Sequence, residues 1–353
     1  MADFSSDRAG LAGLRRLREH LQDTILGQEE AVAGLSDALL AGEMGHTPHG
    51  RPRSMLLVLG PTGTGKTRAV TEASRHLYGT EAIARINAAE FSSEERVPLL
   101  LGTAAGARGL LGAQVERLRA AGGRILLLDE IEKANPRVSD YLLGIEEAAI
   151  TLASGETLDL SDLHVIATSN VGSAGIVEME GVARSSVRRY VEQEAAAHFR
   201  PEVLARFTSI LVFGHLTREI QLRICGRMVD HEVSFQSGVL SRKFGHPHRV
   251  LAGPDVCRRL VGEGWHRSLG ARPMRNVVER RIRGALVDSQ LRGALGPGVR
   301  ESVLLADRPE GIRAARGGAG SHHPLKSARI RASAMKWAWA EKGRSSAALV
   351  AGR

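Results

Sequence analysis

The chain has 353 residues, of which 43% are hydrophobic and 25% are charged, and its formal net charge is +9. These values are ordinary for a globular protein and leave room for more than one domain. No apolar stretch approaches the roughly 20 residues that span a bilayer, and the N-terminus lacks the pattern of a secretory signal. Two cysteines exclude a disulfide framework. We therefore expect a cytoplasmic protein with no membrane partner.

The positive charge is concentrated at the C-terminus. Residues 311–353 contain nine Lys or Arg and one acidic residue, so the preceding part of the chain is almost neutral. Residues 314–353 are rich in Gly, Ala, Ser and Arg without periodicity, a composition typical of a disordered tail. A solvated extension without a specific role is the simplest interpretation. The basic residues and two tryptophans keep nucleic acid open as a partner of this tail.

Helical and apolar patterns alternate along the first two thirds of the chain. A polar N-terminal extension over 1–24 precedes an amphipathic helix expected over 28–44. Five short apolar runs predict buried strands at 55–59, 82–87, 124–129, 163–168 and 209–213. The alternation predicts an α/β fold over 25–216, a five-stranded parallel sheet flanked by helices. Residues 217–313 are expected to form a small, mainly helical C-terminal domain, with a late strand candidate over 299–307.

A phosphate-binding loop follows the first apolar run. The sequence GPTGTGKT matches G-x-x-x-x-G-K-[ST] and lies between a predicted strand and a predicted helix. Its glycines allow successive N–H groups to face an anion, and the next helix adds its N-terminus. Lys66 supplies positive charge for the β- and γ-phosphates, and Thr67 supplies a hydroxyl for Mg²⁺. The predicted binding residues for Mg-ATP are Gly60, Pro61, Thr62, Gly63, Thr64, Gly65, Lys66 and Thr67.

Two carboxylates end the third apolar run. Asp129 and Glu130 follow the sequence ILLL, so they are expected at the carboxyl edge of the sheet, where open α/β folds bind ligands. A solvated acidic turn is the alternative, and the phosphate loop earlier in the chain favours the functional interpretation. We predict that Asp129 holds Mg²⁺ and that Glu130 is the general base that polarises the attacking water.

Several motifs together resemble one family. The segments GPTGTGKT, LLLDEIEKAN (126–135) and IATSNVGS (166–173) are similar to the AAA+ ATPase module of Clp-type chaperones and unfoldases, above all to the second module of the two-ring members. ILGQEEAV (25–32), FRPEVLARF (199–207) and GARPMRNVVERRI (270–282) extend the likeness to the adenine-flanking segment, the arginine-finger helix and the sensor-2 helix. The resemblance covers about residues 25–307 in the family's order.

The resemblance implies roles for further residues. Asn170 matches sensor 1, near the attacking water and the γ-phosphate. Arg206 matches the arginine finger, which in this family reaches the ATP of a neighbouring subunit and implies a homo-oligomeric ring, usually a hexamer. Arg272 matches sensor 2. Leu26, Gly27 and Gln28 match residues that lie near the adenine.

The chain also departs from the family's pattern. The loop that contacts substrate in the ring normally carries an aromatic residue between glycines, whereas residues 106–109 here read Gly-Ala-Arg-Gly. Ala107 replaces the aromatic, and Arg108 is either a contact for carbonyls, acids or phosphates or a solvated loop residue. No Ile-Gly-Leu or Ile-Gly-Phe tripeptide occurs. A partnership with a barrel peptidase is therefore disfavoured.

Three functions remain open from the sequence. The first is a Clp-type, Mg-ATP-dependent ATPase that forms a ring and remodels or disaggregates a protein substrate, directly or through an adapter. The second is a nucleic-acid-associated AAA+ ATPase, motivated by Arg108 and the basic tail, which predicts stimulation by DNA or RNA. The third is a nucleotide-gated assembly protein that threads no substrate.

Overall fold

The computed structural model describes residues 8–80, 82–103, 109–136, 138, 148–295 and 302–317. Contacts divide the chain into two compact units. The first comprises Met1–Ile220 together with His266–Arg272, and the second comprises Gln221–Trp265 and Pro273–Arg353. The short segment His266–Arg272 therefore belongs with the first unit, although its neighbours in the chain belong with the second.

A five-stranded parallel sheet lies at the centre of the first unit, which confirms the predicted fold. The strands of this unit are β1 (Ser54–Leu59), β2 (Ala84–Asn87), β3 (Ile125–Asp129), β4 (Ala149–Thr151), β5 (Thr157–Asp159), β6 (His164–Ser169) and β7 (Ser209–Val212). The parallel sheet has the order β2-β3-β6-β1-β7, and β4 and β5 form a separate antiparallel pair. Parallel pairing brings the carboxyl ends of β1, β3 and β6 to one edge.

Strand β1 shows why its sequence is apolar without interruption. All six of its residues are buried. Leu57 and Leu59 belong to the core on one face of the sheet, and Leu56 and Val58 belong to the core on the other. A strand covered on both faces has no position for a solvated side chain, which accounts for the continuous apolar run.

The helices of the first unit cover these two faces. They are α1 (Arg8–Thr24), α2 (Glu29–Glu43), α3 (Lys66–Tyr78), α4 (Val97–Leu101), α5 (Leu110–Ala120), α6 (Ser173–Glu178), α7 (Arg184–His198) and α8 (Pro201–Leu204). Single 3₁₀ turns lie at Ala88–Phe91, Glu94–Arg96 and Ile131–Lys133.

Helix α1 differs from the extension that the sequence suggested. Leu14, Leu17 and Leu21 recur at helical spacing, are buried, and join the core that contains α3. The sequence gives this helix a weak signal, because the remainder of the segment is polar. Helix α1 is therefore part of the folded first unit.

The second unit combines helices with a small sheet. Its elements are α9 (Arg218–Phe244), β8 (Arg249–Ala252), α10 (Pro254–Gly264), α11 (Arg272–Leu291), β9 (Ser302–Arg308) and β10 (Gly311–Gly317). Strand β9 pairs in parallel with β8 and antiparallel with β10. The late strand was expected, whereas β8 was not, and β10 continues beyond the expected domain end at residue 313. Within the part of the chain that the structure describes, no helix is both long and apolar enough to cross a membrane.

Candidate active site

The phosphate loop connects the end of β1 to the start of α3. Gly63 lies at φ +75°, a left-handed conformation that glycine adopts without strain. A Cβ on Gly63 would lie 2.0 Å from the carbonyl oxygen of Leu269, and a Cβ on Gly60 would lie 2.3 Å from that of Phe213. Side chains are therefore excluded at both positions by neighbouring backbone, which keeps the loop in the shape that phosphate binding requires.

The segment that ends at Arg272 packs on this loop. The backbone N–H of Ala271 donates to the carbonyl oxygen of Gly63 at 3.3 Å. Gly270, at φ +59°, approaches the backbone of Thr62 so closely that a Cβ would lie 2.7 Å from its oxygen. Arg272, the predicted sensor-2 residue, is exposed and follows directly. Arg272 is therefore the residue after Ala271, which contacts the phosphate loop directly.

Lys66 is the buried cation of the site. Its side chain donates to the carbonyl oxygens of Gly60 and Pro61 and, at 3.0 Å, to Oδ1 of Asn170. Burial lowers the pKa of Lys66 to about 8, while the carboxylates of Glu132, Asp129 and Glu130 act in the opposite direction. Because these partners include neutral carbonyl oxygens, the ammonium of Lys66 can exchange them for the charged oxygens of a phosphate.

Asp129 ends β3 and is 7% exposed. Its carboxylate accepts a hydrogen bond from the hydroxyl of Thr168 and pairs with the guanidinium of Arg85. Arg85 therefore places a positive charge beside Asp129, the carboxylate that the sequence analysis predicts to hold Mg²⁺. Carboxylate and hydroxyl oxygens are donors that Mg²⁺ accepts, so Asp129 and Thr67 have the chemistry of a magnesium site.

Glu130 has an unusual backbone conformation. It lies at φ 57° and ψ 48°, the left-handed region that a non-glycine residue occupies at an energetic cost. Its N–H donates to the hydroxyl oxygen of Thr168 at 3.2 Å, and its carboxylate pairs with Lys133 at 2.8 Å.

Asn170 follows β6 and links the acidic and basic parts of the site. Its Oδ1 accepts from Lys66 and, at 3.2 Å, from the hydroxyl of Thr62. Its Nδ2 donates to Glu132 at 2.9 Å. The structure thus brings Asn170 to the phosphate loop, and Lys66 is electrostatically coupled to the carboxylates at the end of β3.

The segment that carries the predicted adenine-flanking residues begins beside the phosphate loop. A Cβ on Gly65 would lie 3.5 Å from Cγ2 of Ile25, the residue before Leu26. The Gln28 side chain is occupied, since its amide exchanges two hydrogen bonds, of 2.9 and 3.0 Å, with the backbone of Gly214. Gly27, at φ +77°, packs closely on Ile220. A cavity of about 800 Å³ opens along this segment, with Gly27 and Gln28 in its wall.

Arg206 lies apart from these residues. Thr208, two residues after Arg206, donates its N–H to the carbonyl oxygen of Met55, near the start of β1. The phosphate loop begins at Gly60, five residues after Met55 and just beyond the end of this strand, a separation of about 17 Å. The predicted arginine finger is thus at the opposite edge of the sheet from the phosphate loop of its own chain. Ala107 and Arg108, the predicted substrate-contacting residues, lie outside the described residues.

Sequence reasoning missed three side chains at this site. Arg85 pairs with Asp129 from the adjacent strand, Thr168 contacts Asp129 and Glu130 from β6, and Glu132 holds Asn170. Glu132 was visible in the motif LLLDEIEKAN as a third acid. The other two depend on the strand order β2-β3-β6, which the sequence does not specify.

Comparisons with known proteins agree on one family. A model for the AAA domain (Cdc48 subfamily) matches residues 51–210. Chaperone protein ClpB of Pseudomonas putida is 33% identical over 297 residues, which cover 81% of this chain and 33% of that protein. The ATP-dependent Clp protease ATP-binding subunit ClpA homolog of Pyropia yezoensis is 32% identical over 302 residues, with 81% and 36% covered. The chain therefore spans about a third of the length of these curated relatives.

A solved structure has the same fold. It is a cryo-EM reconstruction of Hsp104 with ATPγS and FITC casein in a closed state, and the TM-score is 0.71. The match covers 88% of this chain and 53% of that chain at 24% identity. This likeness concerns the arrangement of helices and strands.

Proposed function

The chain belongs to the AAA+ ATPases of the Clp type, and we propose that it uses the hydrolysis of Mg-ATP to remodel a protein partner. One observation carries this proposal. At the carboxyl edge of the sheet, Lys66 of the phosphate loop donates to Asn170 and interacts electrostatically with the carboxylates at the end of β3. Nucleotide binding and hydrolysis follow from the family. The metal, the ring and the protein partner are the proposed parts.

Each side chain has a proposed task at the edge of the sheet. Backbone N–H groups of the phosphate loop bind the phosphates, and Lys66 exchanges its carbonyl partners for phosphate oxygens. Thr67 and Asp129 would hold Mg²⁺, which would neutralise phosphate charge. Glu130 takes a proton from the attacking water, and Asn170 orients that water against the γ-phosphate. Arg272 would sense the nucleotide from the segment that packs on the loop.

The ring is proposed from the position of Arg206. An arginine at the far edge of the sheet is poorly placed to reach its own phosphate loop, whereas a neighbouring copy can present it to that site. A head-to-tail interface of this kind closes into a ring, for which a hexamer is the expected form. In such a ring Arg206 would stabilise negative charge that develops in the transition state.

The protein partner is proposed from the relatives. ClpB is named as a chaperone, and the Hsp104 reconstruction contains FITC casein. Ala107 in place of an aromatic residue predicts a weaker grip on an extended chain than a tyrosine would give. An adapter and a cytoplasmic location belong to the same proposal.

An ATPase assay with different polymers tests the proposed partner. The steady-state rate of the full chain is measured alone, with casein and with single-stranded DNA, at two salt concentrations. Stimulation by casein is the expected result. If only DNA raises the ATPase rate, and the effect is lost at higher salt, the chain is instead a nucleic-acid-associated ATPase. A rate that no polymer changes would favour a nucleotide-gated assembly protein.

The Glu130→Gln variant is the control for that assay. It keeps the volume of the side chain and removes the base, so nucleotide should bind and turnover should fall by roughly 10²- to 10⁴-fold. A variant that hydrolysed ATP at the wild-type rate would contradict the role assigned to Glu130.

A further inference from the structure

A third carboxylate stands beside the site without a task in the proposed reaction. Glu132 lies in the 3₁₀ turn Ile131–Lys133 that follows β3. One of its oxygens accepts the hydrogen bond from Nδ2 of Asn170. Its other oxygen, Oε2, is buried and has no hydrogen-bond partner among the described residues. A buried carboxylate oxygen without a hydrogen-bond partner is costly, so its presence at this position calls for an explanation.

The hydrogen bonds of Asn170 show what Glu132 does. The amide lies between a carboxylate on its nitrogen side and the Lys66 ammonium on its oxygen side. Rotating the amide by half a turn would place its N–H₂ group against the ammonium and its oxygen against the carboxylate. Both contacts would then be repulsive, so the two charges together fix the orientation of the amide.

We propose that Glu132 is a positioning residue for ATP hydrolysis, which holds the Asn170 amide with its oxygen toward the phosphate loop. Glu132 acts through Asn170 and does not contact the reacting atoms. In this structure the carboxylate of Glu130 pairs with Lys133, whereas that of Glu132 contacts Asn170. The inference rests on the proposed function, since it assigns Asn170 to the hydrolytic step.

The position of Glu132 matters most when nucleotide is bound. Once Lys66 turns to the phosphates, the oxygen side of the amide loses its cation, and the bond to Glu132 remains to hold the nitrogen side. Without it the amide keeps only the hydroxyl of Thr62, which can donate to the amide oxygen or accept from the amide nitrogen and so does not select one orientation. Small displacements of a group that orients a reactant slow the chemical step strongly and affect ground-state binding little.

Two substitutions separate the hydrogen bond from the charge. Glu132→Leu removes the acceptor at similar volume, and we expect kcat to fall roughly ten- to a hundredfold. Glu132→Gln keeps an acceptor without the charge, so a smaller loss is expected. The Kd for a fluorescent ADP analogue should stay within about twofold in both variants, because the phosphate loop is intact. Glu95→Leu, at an exposed position in Glu94–Arg96, is the matched control and should leave kcat unchanged.

A double-mutant cycle with Asn170→Ala tests whether Glu132 acts through Asn170. If it does, Glu132→Leu slows the wild type but has no further effect in the Asn170→Ala background. Losses that multiply, or a Glu132→Leu variant with wild-type kcat, would overturn the inference. If Glu132→Leu lowers the melting temperature so far that folding is in doubt, the same cycle is run with Glu132→Gln.

The cycle also separates this inference from the proposed function. If Glu130→Gln and Asn170→Ala both lower turnover strongly while the Glu132 variants do not change it, only the role of Glu132 is wrong. If Glu130→Gln and Asn170→Ala leave turnover unchanged, the site itself is wrong.

Discussion

We predict that Arg85 competes with Mg²⁺ for the carboxylate of Asp129. Its guanidinium pairs with the carboxylate that we assign to Mg²⁺, and the arginine side chain is 54% exposed. An ion pair at this exposure contributes at most about 1 kcal/mol, so its removal should lower the Mg²⁺ concentration for half-maximal ATPase activity by roughly two- to fivefold. The prediction is measured on Arg85→Ala by titration with MgCl₂. Arg117→Ala, at an exposed position on α5, serves as the control. A higher Mg²⁺ requirement in Arg85→Ala would show that Arg85 assists the site instead.

His164 predicts how stability depends on pH. It is fully buried, with Nδ1 at 2.8 Å from the hydroxyl of Ser54 and Nε2 at 3.0 Å from the carboxylate of Glu43. Burial lowers the pKa of His164, and the bond to Glu43 only partly opposes this. The unfolded chain therefore takes up a proton below about pH 6.5 that the folded chain does not, and stability falls as the pH is lowered.

Thermal unfolding between pH 7.5 and 5.5 tests this expectation. The unfolding free energy should fall by up to about 1.4 kcal/mol per pH unit below pH 6.5 through His164 alone. His164→Gln should be less stable throughout but should show a shallower dependence on pH. His46→Gln, at an exposed position, should keep the wild-type slope. An unchanged slope in His164→Gln would refute the assignment.

The phosphate loop and the segment that packs on it act as one element. Gly63→Ala places a methyl group against the carbonyl oxygen of Leu269. It also puts alanine at a φ of +75°, which is strained for any residue with a Cβ, so the loop must shift. We expect the affinity for ADP to fall by roughly tenfold or more, because the N–H groups that face the phosphates move. Gly79→Ala has a similar φ of +66° but open space around it, and it should lower stability without changing affinity. Equal ADP affinities in the two variants would contradict the importance of this contact.

The elements that the sequence predicted are those with a local signal. Buried parallel strands are continuous apolar runs, and the phosphate loop is a contiguous motif between a strand and a helix. Helix α1 was missed because three leucines in a polar segment are a weak signal. Strand β8 was missed because a strand of four residues between two helices is too short to show a distinct periodicity. The pairing of Arg85 with Asp129 and the packing of Gly270 on Thr62 were out of reach, because they depend on strand order and tertiary contact.

At the scale of the whole molecule, the proposed site is shared between copies of the chain. Lys66 and Asn170 belong to the phosphate-loop edge of the sheet, and Arg206 belongs to the opposite edge. Each active site would therefore combine the nucleotide of one subunit with the arginine of the next. Arg206→Ala should bind ADP as the wild type does while losing hydrolysis.

The most direct test is the ATPase activity of a mixture of Arg206→Ala and Lys66→Ala chains. Each variant alone should be inactive, the first for lack of the arginine and the second for lack of phosphate binding. In randomly mixed rings an Arg206→Ala subunit can receive Arg206 from a Lys66→Ala neighbour, so activity should return to about a quarter of the wild-type rate. A mixture that stays inactive, or an Arg206→Ala chain that hydrolyses ATP normally by itself, would contradict a site completed by the neighbouring subunit.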